Sequence, residues 1–440
     1  LNESQTNNSL WTWGEFSDNQ VDVLLWWKEG HRAYDCEIII ADGSIRSGKT
    51  LSMSFSFVMW AMTTFDNVLF GLSGKTIGSF RKNVLRDLKK ALQSRGAKVK
   101  DRRNENIIDV SYNGRRNEFE IFGGKDEGSY ALIQGRTLAG FFFDEATLQP
   151  RSFIEQAIGR CSIKGSRIWM NCNPDSPFHY IKTDYIEQPE SKKVFHLHFE
   201  LEENTNLDQD IINRLKNLYK GLFYRRYILG EWVVAEGIIY DMFDWNIHSF
   251  QNGGQEYARY LVGVDYGTSN PCTFGLYGYN ENLGRDTDVR LIKEYYYDSA
   301  KENRQKTDGE YAKDFFRFIE SYRSKLERIF IDPSALSFIA ELKKPQNGVY
   351  HLVTAAKNDV IDGIRFVSEK IATNTYTIDK SCENTKKEYE TYSWDPNAQK
   401  RGEDKPLKQN DHCPDRDRYV LFSRFGGKVF KARTQSSISR

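Results

Sequence analysis

Along the first half of the chain, short β-branched or aromatic runs take turns with stretches whose apolar residues recur every three or four positions. Ile38-Ile39-Ile40 has the length and branching of a buried strand, and Met53, Phe57, Trp60 and Ala61 then mark one face of a helix. Positions 68–71 and 75–79 read as strand and turn, 81–92 as an amphipathic helix, 137–143 and 166–170 as two further strands. The 81–92 helix carries Val84, Leu85, Leu88 and Leu92 on one side and Arg81, Lys82, Arg86, Lys89 and Lys90 on the other, a solvated face or a phosphate-contacting one. Strands alternating with helices predict an α/β sheet covered by helices on both faces.

The pattern changes after position 230. Aromatic residues Trp232, Tyr240 and Phe243 lead into a polar, glycine-containing stretch at 246–256. A new strand then begins at 260–267 and turns through Gly-Thr-Ser-Asn-Pro into a hairpin partner at 273–277, with a later strand at 328–331. The predicted organisation is an N-terminal α/β domain over 1–231, a linker over 232–256, a second domain with a mixed sheet over 257–425, and a basic flexible tail over 426–440.

Composition narrows this only a little. Of the 440 residues 39% are hydrophobic, enough for two cores, and the net charge of +1 means any nucleic-acid contact must come from local patches. From 400 to 440 there are 11 Lys/Arg against 5 Asp/Glu, so the C-terminal end is either a solvated tail or such a patch. No apolar run reaches the ~18 residues of a membrane span, and the polar start LNESQTNNSL does not read as a signal peptide. The six cysteines form no C-x-x-C pair and fit a reducing compartment.

The chemistry concentrates first in Gly43-Ser44-Ile45-Arg46-Ser47-Gly48-Lys49-Thr50, a full match to G-x-x-x-x-G-K-[ST] set between the strand and the helix. The glycines allow the loop to turn its N–H groups inward on a β-phosphate at the helix N-terminus. Lys49 can reach the β- and γ-oxygens of ATP, and the Thr50 hydroxyl can ligate Mg²⁺. The apolar strand GFFF ends in Asp144-Glu145, one carboxylate for the Mg²⁺ shell and one to orient and deprotonate water. Asn173, in the turn NCNPDSP after the next strand, is placed to sense a γ-phosphate or is simply a turn residue. Trp11, Trp13, Trp26 and Trp27 ahead of the loop either pack in the core or stack on an adenine ring.

In the second half Asp265 lies inside a strand, Asp332 ends one, and Asp415 stands in the C-terminal DHCPDRDRY. That order of acids (hairpin, strand end, terminal helix) is how an RNase H-like nuclease gathers carboxylates for two Mg²⁺ or Mn²⁺ ions. His412 lies one helical turn from Asp415 on the same face, the helix is expected to start near Pro414, and Asp417 reads as a surface residue.

Taken together, GSIRSGKT, GRTLAGFFFDEA, NCNPDSPFHYIK, RRYILGEWVVAEGIIYDMF, VGVDYGTSNPCTFGLYG, IFIDPSA, AAKNDVIDGI and DHCPDRDRY resemble, in this order, the large terminase subunit of tailed double-stranded DNA phages. The resemblance implies a P-loop ATPase sheet of the ASCE/RecA-like kind followed by an RNase H-like nuclease domain. It makes Gly43, Lys49, Thr50 and Asp144 nucleotide and Mg²⁺ ligands, Glu145 the catalytic base, and Asn173 part of a coupling motif. It makes Asp265, Asp332 and Asp415 metal-binding nuclease residues, with His412 or Asp411 as further candidates. Arg46, inside the loop, is then a transition-state arginine, a phosphate ligand or a surface group. Double-stranded DNA, a portal protein and a small terminase subunit are the implied partners. The implied protein is a monomer in solution and a ring on the procapsid portal, acting in the host cytoplasm and absent from the mature virion. A recombination or repair helicase-nuclease would share both sites; a nucleotide-gated assembly adaptor would not need Glu145.

Overall fold

The computed structural model describes residues 14–268 and 270–427. Trp11 and Trp13, and nearly all of the expected tail, lie outside them. The chain divides into two compact units. The first comprises Leu1–Lys216, Leu222–Val234 and Lys400–Glu403, and the second Asn217–Gly221, Ala235–Gln399 and Asp404–Arg440.

Eight strands build the first unit: β1 (Ile38–Gly43), β2 (Leu69–Gly74), β3 (Lys98–Arg102), β4 (Ile107–Tyr112), β5 (Arg115–Gly123), β6 (Gly140–Phe143), β7 (Arg167–Asn171) and β8 (Val194–Phe199). They lie in the order β3-β4-β5-β2-β6-β7-β1-β8, parallel from β5 to β8, with an antiparallel β3-β4-β5 edge. Because β1 is covered on both faces, its six residues are all buried. Ile39 and Ala41 face one core, and Ile38 and Ile40 the other. The helix Lys49–Thr64 fills the first core, where Phe57 meets Phe70, Phe119, Phe142 and Trp169. Trp26 joins it edge-on to Trp169 at 4.8 Å, and the Trp27 indole donates to Ser56, so this pair packs the core.

In the second unit β9 (Ser249–Phe250), β10 (Arg259–Asp265), β11 (Cys272–Tyr279), β12 (Val289–Tyr297), β13 (Leu326–Ile331), β14 (Val353–Ala355) and β15 (Tyr376–Asp379) form a mixed sheet in the order β14-β13-β10-β11-β12-β15-β9. The β10-β11-β12 meander is antiparallel and the flanking pairs are parallel. One face packs on the helices Asp308–Ile319 and Leu336–Leu342. The other carries the helix His412–Phe425, brought close by a pair of opposed glycines: Cβ atoms there would lie 2.4 Å from Val420 at Gly263 and 2.7 Å from Arg416 at Gly275.

Two expectations fail here. The stretch 232–256 is built into structure, not strung between domains. Ile238 bridges Ser393, Tyr240 lies buried against Tyr389, and β9 pairs with β15. Asp417 is fully buried, because the hydroxyls of Tyr277, Tyr376 and Tyr389 and the Arg416 guanidinium all converge on it. The helix also begins at His412, with Pro414 in its first turn, where a missing N–H costs nothing.

Candidate functional site

In the first unit the glycine-bounded loop leaves the C-terminal end of β1, and Gly43 (φ +121°) and Gly48 (φ +90°) adopt left-handed backbone that other residues avoid. Lys49 folds back over this loop. Its Nζ donates to Gly43 O at 3.1 Å, Ser44 O at 2.5 Å, Ser47 Oγ at 3.2 Å and Asn173 Oδ1 at 3.5 Å. Burial pushes the ammonium down to about 8. Ser47 Oγ closes the turn onto Ser44 O at 2.8 Å. Arg46 is exposed and itself left-handed (φ 57°), with its carbonyl accepting from Asn204 at 2.6 Å. The side chain of Gln20 lies against Gly48, where a Cβ would come within 2.3 Å of its amide nitrogen.

Strand β7 intervenes between β1 and β6, so its C-terminal end sits between the loop and the two acids. Asn171 uses that position. Its Oδ1 accepts the Glu145 N–H at 2.9 Å and its Nδ2 donates to Thr50 Oγ1 at 3.3 Å. Thr50 Oγ1 in turn lies 3.5 Å from Asp144 Oδ1. Glu145 is held at φ 57°, an uncommon conformation for a non-glycine residue. Gln149 anchors the Asp144 carbonyl at 2.8 Å and is itself tied to Ser73. Burial, then the Glu145 charge, push Asp144 up to about 7, as expected for a carboxylate set to meet a cation. Loop, hydroxyl and buried carboxylate together fit Mg²⁺ held with a nucleotide, and Thr50 and Asp144 are the side chains that could hold it.

The second unit gathers acids at the C-terminal end of β10. Burial, then the neighbouring charges of Asp415 and Asp332, push Asp265 up to about 6 against a hydrogen bond from His412, whose Nδ1 lies 2.9 Å from Asp265 Oδ2. Asp415 is paired with Arg418 at 3.0 Å and with Lys408 at 3.3 Å, and Lys408 also reaches Asp411 at 2.9 Å. Asp332 accepts from Tyr419 Oη at 2.7 Å. The oxygen-rich donor set suits a hard divalent cation. Among the described residues, however, no three His, Cys, Asp or Glu side chains converge as a ready-made metal cage. Each acid has a protein partner instead: His412 at Asp265, Tyr419 at Asp332, Arg418 and Lys408 at Asp415. His412 is paired to Asp265 and serves it as a hydrogen-bond partner.

Sequence reasoning singled out the P-loop, Asp144, Glu145 and the three acids, but not Asn171, Gln149, Lys408, Arg418 and Tyr419, which hold them in this structure. Asn171 had a signal, as the last residue of an apolar strand two positions before Asn173. The others announce themselves only through partners far along the chain.

Residues 40–247 match the family model described as "Terminase large subunit, T4likevirus-type, N-terminal". A solved large terminase from a thermophilic bacteriophage is 49% identical with a TM-score of 0.87, covering 93% of this chain and 99% of that one. Structures of the same phage's large terminase in complex with ADP and with ATP-gamma-S are each 48% identical over 93% of this chain and 99% of theirs, with TM-scores of 0.85 and 0.84. No curated protein matches. A mostly parallel P-loop sheet, with a second, mixed sheet bearing an acidic strand end, defines a two-unit nucleotide-dependent enzyme architecture. This chain belongs to the large terminase family.

Proposed function

We propose that the chain is the ATP-hydrolysing, DNA-cutting subunit of a viral DNA-packaging motor. Hydrolysis in the first unit drives double-stranded DNA through a portal into a procapsid, and the second unit cuts the concatemer. The observation that carries the first half is the chain Glu145–Asn171–Thr50–Asp144, in which one amide sets the water-activating acid and the Mg²⁺-binding hydroxyl in register.

In this reading the loop N–H groups and Lys49 bind the phosphates, drawing the ammonium off Gly43 O and Ser44 O. Glu145 orients the attacking water and takes its proton, while Asn173 reports the γ-phosphate through its link to Lys49. Arg46, exposed on the loop, stabilises charge on the leaving phosphates. In the second unit Asp265, Asp332 and Asp415 are the residues that would hold Mg²⁺ or Mn²⁺, and bound ions there would activate water and neutralise the scissile phosphate. His412 orients Asp265, and Arg418 and Lys408 pair with Asp415, which would hold a divalent ion when one is bound. DNA, the portal protein and the small subunit are the partners of this reading, with a monomer in solution and a ring on the portal in the host cytoplasm. Among the described residues no helix is long and apolar enough to cross a membrane.

Two substitutions in the full-length chain test the reading. Glu145→Gln is expected to slow ATP-dependent phosphate release by about 10²-fold or more while leaving nuclease activity intact. Asp265→Asn is expected to abolish metal-dependent cleavage of linear duplex DNA and leave phosphate release alone. Unchanged turnover in the first, or surviving cleavage in the second, removes that residue from its role.

A further inference from the structure

The outer side of the P-loop is gripped by a single later stretch of chain, residue against residue in reverse order. Ile45 donates its N–H to Tyr227 O at 2.8 Å, and Ser44 Oγ donates to Ile228 O at 2.6 Å. Gly43 lies so near Gly230 that a Cβ at 230 would fall 3.1 Å from Gly43 Cα. Asp42, the residue before the loop, accepts the indole N–H of Trp232.

Asp42 is the unexpected member. The face of β1 that carries Ile38 and Ile40 into the core continues to position 42, where the chain places a carboxylate only 1% exposed. An apolar side chain would seal that strand end more cheaply, since a buried anion is costly unless fully paired. The phosphate-loop pattern starts only at Gly43 and does not require it. Register with β8 sets His198 beside Asp42 and His196 two residues earlier on the same face. His198 Nδ1 lies 2.8 Å and His196 Nε2 2.9 Å from Asp42 Oδ1, while Trp232 takes Oδ2. Burial by itself would raise this carboxyl; the two imidazoles and the indole pull it well below the usual range, so it stays anionic. Its charge also reaches Lys49, the cation that must move when phosphate arrives.

We propose that Asp42 is a positioning residue for the nucleotide: by holding the Trp232 indole it closes the 227–232 stretch over the P-loop, and phosphate arriving in the loop is felt at Trp232. New negative charge beside Asp42 and the departure of Lys49 from the Gly43 and Ser44 carbonyls both act on the same strand end. The inference rests on the P-loop being the nucleotide site.

The test uses the full-length protein, ADP as the probe, calorimetry for affinity and tryptophan emission for the response. Trp232→Phe keeps an aromatic side chain there and removes the indole N–H together with the second ring. It is expected to bind ADP about tenfold more weakly, the worth of a hydrogen bond to a charged group, and to lose most of the ADP-dependent emission change. Asp42→Asn is expected to weaken ADP by a similar or larger factor, and the double variant to be no weaker than Asp42→Asn alone, because both remove one interaction. Wild-type ADP affinity in Trp232→Phe, or a full emission response without Trp232, overturns the proposal. If Asp42→Asn does not fold, Trp232→Phe decides alone. Lys49→Ala separates the premise: unweakened ADP binding there means that the nucleotide sits elsewhere.

Discussion

Asn171 does with one amide what two charged residues could not do side by side. Its oxygen accepts from the backbone of Glu145 and its nitrogen donates to Thr50, both next to the buried Asp144. Asn171→Ala removes both restraints without adding charge. We expect turnover to fall roughly 10²-fold, the usual result of misplacing reacting groups by about an ångström. ADP affinity should stay close to wild type, since the P-loop is untouched; steady-state phosphate release and calorimetry check the two halves. His198 gives a second residue-scale prediction. Its hydrogen bond to Asp42 raises the imidazole pKa, so the stabilisation is fully present below the unfolded value of about 6.5 and is lost as pH climbs through the folded one. Asp42, held low, contributes above about 3.9 and loses its share only as pH falls further. Urea denaturation should therefore show His198→Gln further below wild type at about pH 6 than at about pH 8.5.

At the scale of elements, what was legible in the sequence is what is local. The strand-loop-helix around Lys49 could be read because its glycines, apolar run and helical spacing lie within thirty residues of one another. The β10-β11 hairpin was equally readable, since its turn joins the two strands directly. The 232–256 stretch was not, because Tyr240 and β9 find their partners at Tyr389 and Ile378, far down the chain. The helix His412–Phe425 shows the same limit. Its sequence DRDRY looks solvated, yet Arg416 and Asp417 are both fully buried, satisfied by Thr273, Thr385 and three tyrosines from other elements. Breaking such a pair leaves an uncompensated charge in the core. Asp417→Ala is expected to cost about 3–5 kcal/mol of unfolding free energy, measured by chemical denaturation, far more than the loss of any exposed acid in this chain.

On the proposed function the chain holds two ligand sites of opposite preparation, and stability can report on each separately. In the first unit the P-loop glycines, Thr50 and Asp144 already stand in place, so nucleotide should bind a nearly formed site. In the second, Asp265 is crowded by the charges of Asp332 and Asp415, which are meanwhile held by Tyr419, Arg418 and Lys408. A divalent ion there would relieve repulsion but must displace protein partners first. Any ligand that binds only the native state stabilises it by mass action, about 2.7 kcal/mol at a hundred times its Kd. Mn²⁺ alone should then raise the melting temperature of the second unit, and ADP with Mg²⁺ that of the first. Asp265→Asn should erase the Mn²⁺ shift and keep the nucleotide shift; Lys49→Ala should do the reverse. Because Lys408 competes for Asp411 and Asp415, Lys408→Gln should reach the same Mn²⁺ shift at lower ion concentration. A Mn²⁺ shift that survives Asp265→Asn would place the ion outside these acids and detach the proposed cutting activity from β10.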